Sequence, residues 1–181
     1  MEINEYRWQD RAAPVRMNIR KVSPADVSAL QRLMLSNPGY TRRVEGGAVG
    51  ADAAREVLAA LPPGVERDQK WGLGVWEGDL LVAFVDVIVG WPGPSTAHIG
   101  LLMTDGAREG QGLGRMLHAA MVEELLELRS VETLRLSIVD TNAAVAEPFW
   151  IKMDYSATGE AVPYESGAAS SMARIWVRPT R

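Results

Sequence analysis

The chain has 181 residues, 47% hydrophobic and 23% charged, a balance ordinary for a single soluble domain whose core needs no staple. Its net charge of −4, from 19 Lys+Arg against 23 Asp+Glu, excludes a general affinity for nucleic acid. Cysteine is absent and histidine occurs only as His98 and His118, which excludes disulfides, a thiol nucleophile and thiolate or His-rich metal centres. No apolar run approaches the roughly 20 residues that span a bilayer, and the polar start Met1–Asp10 lacks a signal-peptide core. A cytoplasmic protein with no membrane partner is the expectation.

In chain order, residues 1–14 read as an irregular arm, which Trp8 would pin to the surface, and 15–181 as one domain. Val15 to Val22 alternates as a strand. Ser23-Pro24-Ala25-Asp26 starts a helix with a serine cap, proline at its first position and an early acid. Val27, Leu30, Leu33 and Met34 follow the helical period until Asn37-Pro38-Gly39 stops it. Tyr40 to Val49 reads as a loop and Asp52 to Leu61 as a second short helix. Trp71 to Trp76 and Leu80 to Val89 are strands around the hairpin turn Glu77-Gly78-Asp79. The second of them is almost uniformly apolar, as a strand covered on both faces should be. Asp86 interrupts it on the side of Phe84 and Ile88.

Thr96 to Thr104 is a strand, and a helix from about Leu113 to Leu128 carries an apolar stripe of Leu113, Met116, Leu117, Ala120, Met121, Leu125 and Leu128. His118 is placed on its surface. Thr133 to Val139 is the next strand, Asn142 to Lys152 a short helix that Pro148 would kink, and Tyr155 to Gly159 and Met172 to Val177 the last two strands. The order β-α-α-β-β-β-α-β-α-β-β predicts an α/β (α+β) domain, with a mixed sheet of about seven strands flanked by about four helices.

The stretch Arg108-Glu-Gly-Gln-Gly-Leu-Gly-Arg115 carries most of the chemistry. A strand precedes its alternating glycines and a helix follows at once. That layout presents free backbone N–H groups to an anion at a helix N-terminus, with glycine permitting positive φ and close approach. A phosphate or pyrophosphate site is the reading. A P-loop would require Gly-Lys-Ser/Thr after the glycines, where Arg115-Met116 stands. A dinucleotide fingerprint would require glycine at Arg115 and an acid nearer than Asp140, so it is the weaker alternative.

The loop Glu109-Gly110-Gln111-Gly112-Leu113-Gly114 resembles the acyl-CoA pyrophosphate loop of the GNAT N-acetyltransferase family. The likeness extends over about Val15 to Val177. Ala97 to Thr104 resembles the family's fourth strand and Leu134 to Val139 its fifth. Asn142-Ala143-Ala144 with Phe149-Trp-Ile-Lys-Met-Asp-Tyr155 resembles the family's asparagine-led segment. Glu109, Trp150 and Asp154 depart from the pattern. An aspartate at 154, in place of glycine, accepts a left-handed turn better than most residues do.

The resemblance implies an enzyme that moves an acetyl group from acetyl-CoA to a primary amine of a small molecule or peptide, without a metal, and dimers are common in the family. It implies a CoA site at Leu102, Met103, Thr104, Glu109, Gly110, Gln111, Gly112, Leu113, Gly114, Arg115 and Asn142. Leu102 to Thr104 would pair with the pantetheine amides, and a main-chain N–H of Leu102 or Met103 would meet the oxyanion. Asn142 would bond the pantetheine or cap the next helix. Asp86 and His98 are the two candidate bases; an ion pair for Asp86, for instance with an arginine, and a core position for His98 are the competing roles. Trp150 stands where many members carry the tyrosine that protonates the thiolate, with Tyr155 and Tyr164 as candidate replacements. The alternative function is a non-catalytic acyl-CoA sensor, which would keep the loop and lose base and acid.

Overall fold

The computed structural model describes residues 17–181. The expected arm, Trp8 and Val15 lie outside the described residues. Seven strands form one sheet: β1 (Met17–Val22), β2 (Lys70–Glu77), β3 (Leu80–Val89), β4 (Thr96–Thr104), β5 (Thr133–Val139), β6 (Ser156–Ser166) and β7 (Ala169–Pro179). Their order across the sheet is β1-β2-β3-β4-β5-β7-β6. Five helices flank them: α1 (Val27–Ser36), α2 (Pro38–Glu45), α3 (Ala53–Ala59), α4 (Leu113–Glu127) and α5 (Ala143–Lys152). The architecture is a mixed α/β sheet domain, with one helix more than the expected order.

The extra helix is α2, in the stretch read as a loop. Pro38 does end α1, but it also occupies the first turn of the next helix, where its missing N–H costs nothing. Thr41 and Val44 face inward, and Gly46, at φ 74°, closes the helix in the left-handed conformation. The closing hairpin is also longer than expected. β6 is an edge strand whose side chains are mostly exposed, so the apolar alternation that marks a strand is weak there.

A hydrophobic layer lies on each face of the sheet. On one, Leu113, Leu117, Met121 and Leu125 of α4 and Trp150 of α5 pack against Val85, Leu134 and Leu136. On the other, Leu30, Leu33 and Met34 of α1 and Ala54 of α3 cover Leu81, Phe84, Leu101 and Met103. Each fully buried leucine contributes about 1.5–3 kcal/mol. The α4 stripe is narrower than expected. Met116 and Leu128 are exposed, while His118 is buried at 3% exposure instead of lying on the surface. Its Nε2 sits 3.0 Å from the Tyr155 hydroxyl, which satisfies both polar groups inside the core.

Two irregularities of β4 position the site. β4 pairs with β5 in parallel only from Thr96 to Ile99, against Thr133 to Leu136. Beyond Ile99 the strands separate. On the other edge, β4 pairs antiparallel with β3, and the register shifts where Asp86 faces Leu101 but Val87 faces Ile99. Gly100 is the extra residue of this bulge. The bulge exchanges the faces of the strand: Ala97 and Ile99 enter the layer under α4, whereas Leu101 and Met103 enter the layer under α1.

Candidate active site

Where β4 and β5 part, a cleft of about 980 Å³ opens. Leu102, Met103, Thr104, Glu109, Gly110, Gly112, Leu113, Gly114, Arg115 and Asn142 all line it, together with His98 and Trp150. Gln111, Asp86 and Tyr155 do not. The N–H of Asp105 donates to Val82 on β3 at 2.9 Å. Main-chain groups alternate in direction along a strand, and the register from Leu101 to Thr104 is regular. The peptide groups of Leu102 and Thr104 therefore point away from β3 into the gap, and those of Met103 point towards β3. Of the two N–H groups expected to meet an oxyanion, Leu102 has the geometry; Met103 is 2% exposed in the core.

At one end of the cleft the chain turns through Gly110 and Gly112, at φ 77° and 83°, into α4. Gly112 caps the helix with no side-chain bond, and a Cβ built on it meets nothing within 4 Å. The first intrahelical bond runs from Met116 N–H to Gly112 at 3.0 Å. The N–H groups of Leu113, Gly114 and Arg115 precede it and have no acceptor within the helix. This open, side-chain-free cradle at a helix N-terminus fits a pyrophosphate.

Glu109 does not stand against the cradle. Its Oε1 accepts from Asn37 Nδ2 at 3.0 Å, and the same amide donates to the carbonyl of Thr104 at 3.2 Å. Arg108 is paired with Glu77. Asn142 sits at the N-cap of α5 but makes no capping bond. Its Oδ1 accepts from Arg43 Nε at 2.7 Å, which leaves its NH₂ to donate into the cleft.

The expected tyrosine acid at Tyr155 lies off the cleft, 2% exposed. Burial raises the pKa of its hydroxyl well above the ordinary value, and Arg178 opposes this only partly. Tyr164 does line the cleft. Trp150 packs edge-to-face on Phe149, His118 and Tyr155, a core role with one edge at the cleft wall. Asp154 adopts φ 66°, the left-handed turn anticipated at the glycine position.

A second cavity, of about 400 Å³, adjoins the bulge on the α3 side and shares His98, Gly100 and Leu101 with the cleft. Asp86 lines it, paired with Lys70 at 2.9 Å; the two side chains are 8% and 6% exposed. The partner is thus a lysine, not an arginine. Burial raises the Asp86 pKa, and Lys70 pulls it back. Asp86 faces Gly72 across the hairpin. The Phe84 ring takes the space over Gly72, where a Cβ would meet it at 2.6 Å, and Asp86 pairs instead with the diagonal neighbour Lys70. A Cβ on Gly100 would stand 2.7 Å from Asp86 Oδ2, so only glycine lets the carboxylate lie over the bulge.

His98 is 9% exposed. Its Nδ1 lies 2.9 Å from Arg135 Nη1, and its ring packs on Trp91 at 4.9 Å. Arginine can only donate, so Nδ1 accepts and the proton sits on Nε2. Burial, with Arg135 adding to it, lowers the His98 pKa to about 3. The nitrogen that carries the lone pair is thus the one that faces Arg135. Asn37, Arg43, Lys70 and Arg135 were not anticipated from the sequence. The loop reading of 40–49 hid the α2 residue Arg43, and cross-strand partners need a register that includes bulges.

Residues 50–155 match the model of the acetyltransferase (GNAT) family. The chain belongs to that family. The solved fold neighbours agree: an acetyltransferase from Thermus thermophilus, at 22% identity and TM-score 0.65, covers 90% of this chain and 96% of its own. The ribosomal-protein-S18-alanine N-acetyltransferase of Escherichia coli has 18% identity and TM-score 0.65 over 91% and 94% of the two chains. An aminoglycoside 6'-N-acetyltransferase complexed with coenzyme A has 16% identity and TM-score 0.64 over 91% and 97%. At these identities the likeness is one of fold. No curated protein sequence matches the chain. Among the described residues, no helix is long and apolar enough to cross a membrane.

Proposed function

We propose that this GNAT domain transfers an acetyl group from acetyl-CoA to a primary amine by direct attack. The observation that carries the reading is that two cavities share His98, Gly100 and Leu101 as a common wall at the Gly100 bulge. One is a long cleft ending in the glycine cradle, the other a smaller chamber holding Asp86. A donor and an acceptor entering from opposite sides of β4 meet there, which supplies the proximity that makes the transfer effectively unimolecular.

The first-turn N–H groups from Leu113 to Arg115 hold the pyrophosphate. The outward C=O of Leu102 and the Asn142 amide bond the pantetheine arm. The Leu102 N–H meets the carbonyl oxygen as it gains negative charge. Asp86, made more basic by burial, takes the proton of the acceptor ammonium directly or through water. The amine nitrogen then bonds the acyl carbon and the C–S bond breaks. A thiol has a pKa near ~8.5, so the sulfur leaves as thiolate without a strong acid. The second proton, shed by the nitrogen as the amide forms, reaches the thiolate through water or Tyr164 at the cleft wall. Trp150 shapes the wall and is no acid.

The test is amine-dependent release of free thiol from acetyl-CoA across a panel of amines. Release that requires both amine and protein is the expected result. Tight CoA binding with no release by any amine favours the sensor reading instead, and stabilisation by NADH but not by CoA overturns the assignment of the cradle.

A further inference from the structure

The smaller cavity holds more charge than amine transfer alone requires. Its walls are mainly apolar, built by Val57, Leu61, Pro62, Ile88 and Trp91. Within them an ammonium and a carboxylate lie 2.9 Å apart, both nearly inaccessible to solvent. A buried pair of this kind is costly unless further hydrogen bonds satisfy the remaining donors and lone pairs. Among the described residues, Lys70 Nζ bonds only Asp86, and the Asp86 carboxylate bonds only Lys70. An ammonium has three donors and an ionised carboxylate about four acceptor sites, so each keeps capacity at the cavity wall.

The pair also restricts what can enter. Its charges cancel, and His98 beside it is neutral. A simple amine adds a cation to a pair whose charges already cancel, which leaves Lys70 without its counter-charge, and a polyamine adds more like charge. A zwitterion brings one charge for each member of the pair. Building on the acetyltransferase reading above, we propose that the acceptor is a free α-amino acid with an apolar side chain. Its ammonium lies on Asp86, its carboxylate on Lys70, and its side chain among Val57, Leu61 and Trp91. The reacting nitrogen is then held at the carboxylate that receives its proton, next to the Gly100 bulge.

The experiment compares leucine, leucinamide, 3-methylbutylamine and spermidine as acceptors for the wild-type protein with saturating acetyl-CoA, read as thiol release. Leucine should exceed each of the others in kcat/KM by at least about tenfold, the scale of one charge-assisted hydrogen bond. If thiol release is robust but leucinamide or 3-methylbutylamine equals leucine, the amino-acid proposal is overturned while the transferase reading stands. If CoA binds and no amine releases thiol, both fall. In Lys70→Met, checked for fold by circular dichroism and for CoA affinity, the preference for leucine over leucinamide should shrink to within about threefold, since the charged bond is gone. A folded variant that keeps the full preference overturns the role of Lys70. Should that variant not fold, the wild-type series decides alone.

Discussion

Placing an aspartate at Gly112 tests the cradle most directly. Gly112 has φ 83° and ψ 1°, so any side chain there costs about 1–2 kcal/mol of backbone strain, least for Asn and Asp. A Cβ meets no atom within 4 Å, so the protein itself accommodates the substitution. The added carboxylate would stand beside the bound pyrophosphate. Like charges about 4 Å apart in a site of effective dielectric about 20 repel by about 4 kcal/mol. That repulsion amounts to a loss of roughly 10³-fold in CoA affinity. Gly112→Ala carries the strain without the charge, so it should bind CoA within about tenfold of wild type while losing about 1–2 kcal/mol of stability. Titration calorimetry with CoA on both variants, at low and high salt, separates the two effects, because the repulsion is screened and the strain is not. Equal affinities for Gly112→Asp and Gly112→Ala would refute an anion at this turn.

Three further outcomes follow from the packing and charge of the site. Asp86→Asn should lower kcat by roughly 10²–10⁴-fold, the usual worth of a positioned base. It should also cost about 3–5 kcal/mol in denaturant unfolding, because the Lys70 ammonium is left buried and unpaired; an intact, fully active variant would exclude Asp86 as base. Burial lowers the pKa of His98 to about 3 and of His118 to about 4 in the folded chain. The unfolded chain binds those protons near pH 6.5. Stability is therefore present above about pH 6.5 and lost as pH falls, by up to ~1.4 kcal/mol per pH unit for each histidine. Urea titrations at pH 7, 6 and 5 measure it, and ring NMR shifts that stay neutral at pH 5 would identify both groups. Leu117→Ala, at a fully buried position under the sheet, should cost about 2.7–5 kcal/mol by cavity formation, read as a shift in denaturant midpoint.

Much of the fold was legible because its signals are local. The helix start at Ser23-Pro24 shows a full capping box with Asp26, and the hairpin turns within Glu77-Gly78-Asp79, where those residues placed it. The interior strand β3 reads as an apolar run because helices cover both faces. α2 was missed because Asn37-Pro38-Gly39 is equally a stop and a start. The full length of β6 was missed because an exposed edge strand carries little hydrophobic pattern. His118 was misplaced because its hydrogen bond to Tyr155 is a contact across 37 residues.

For the site, the division follows the range of the forces. The glycine turn, the helix behind it and the Asn142 to Tyr155 segment are set by backbone preferences within a few residues, so the sequence alone determined where the open helix N-terminus stands and which family the chain resembles. The chemistry at the reacting end depends on pairs far apart in the chain: Lys70 with Asp86, Arg135 with His98, Arg43 with Asn142. Asp86 and His98 were both candidates as bases while each was only a residue type in a strand. Strand register and the bulge at Gly100 gave one a lysine beside the smaller cavity and the other an arginine on its Nδ1. Those partners are chosen by tertiary packing, because burial raises the weight of each neighbouring charge and only the folded sheet says which neighbour is within reach.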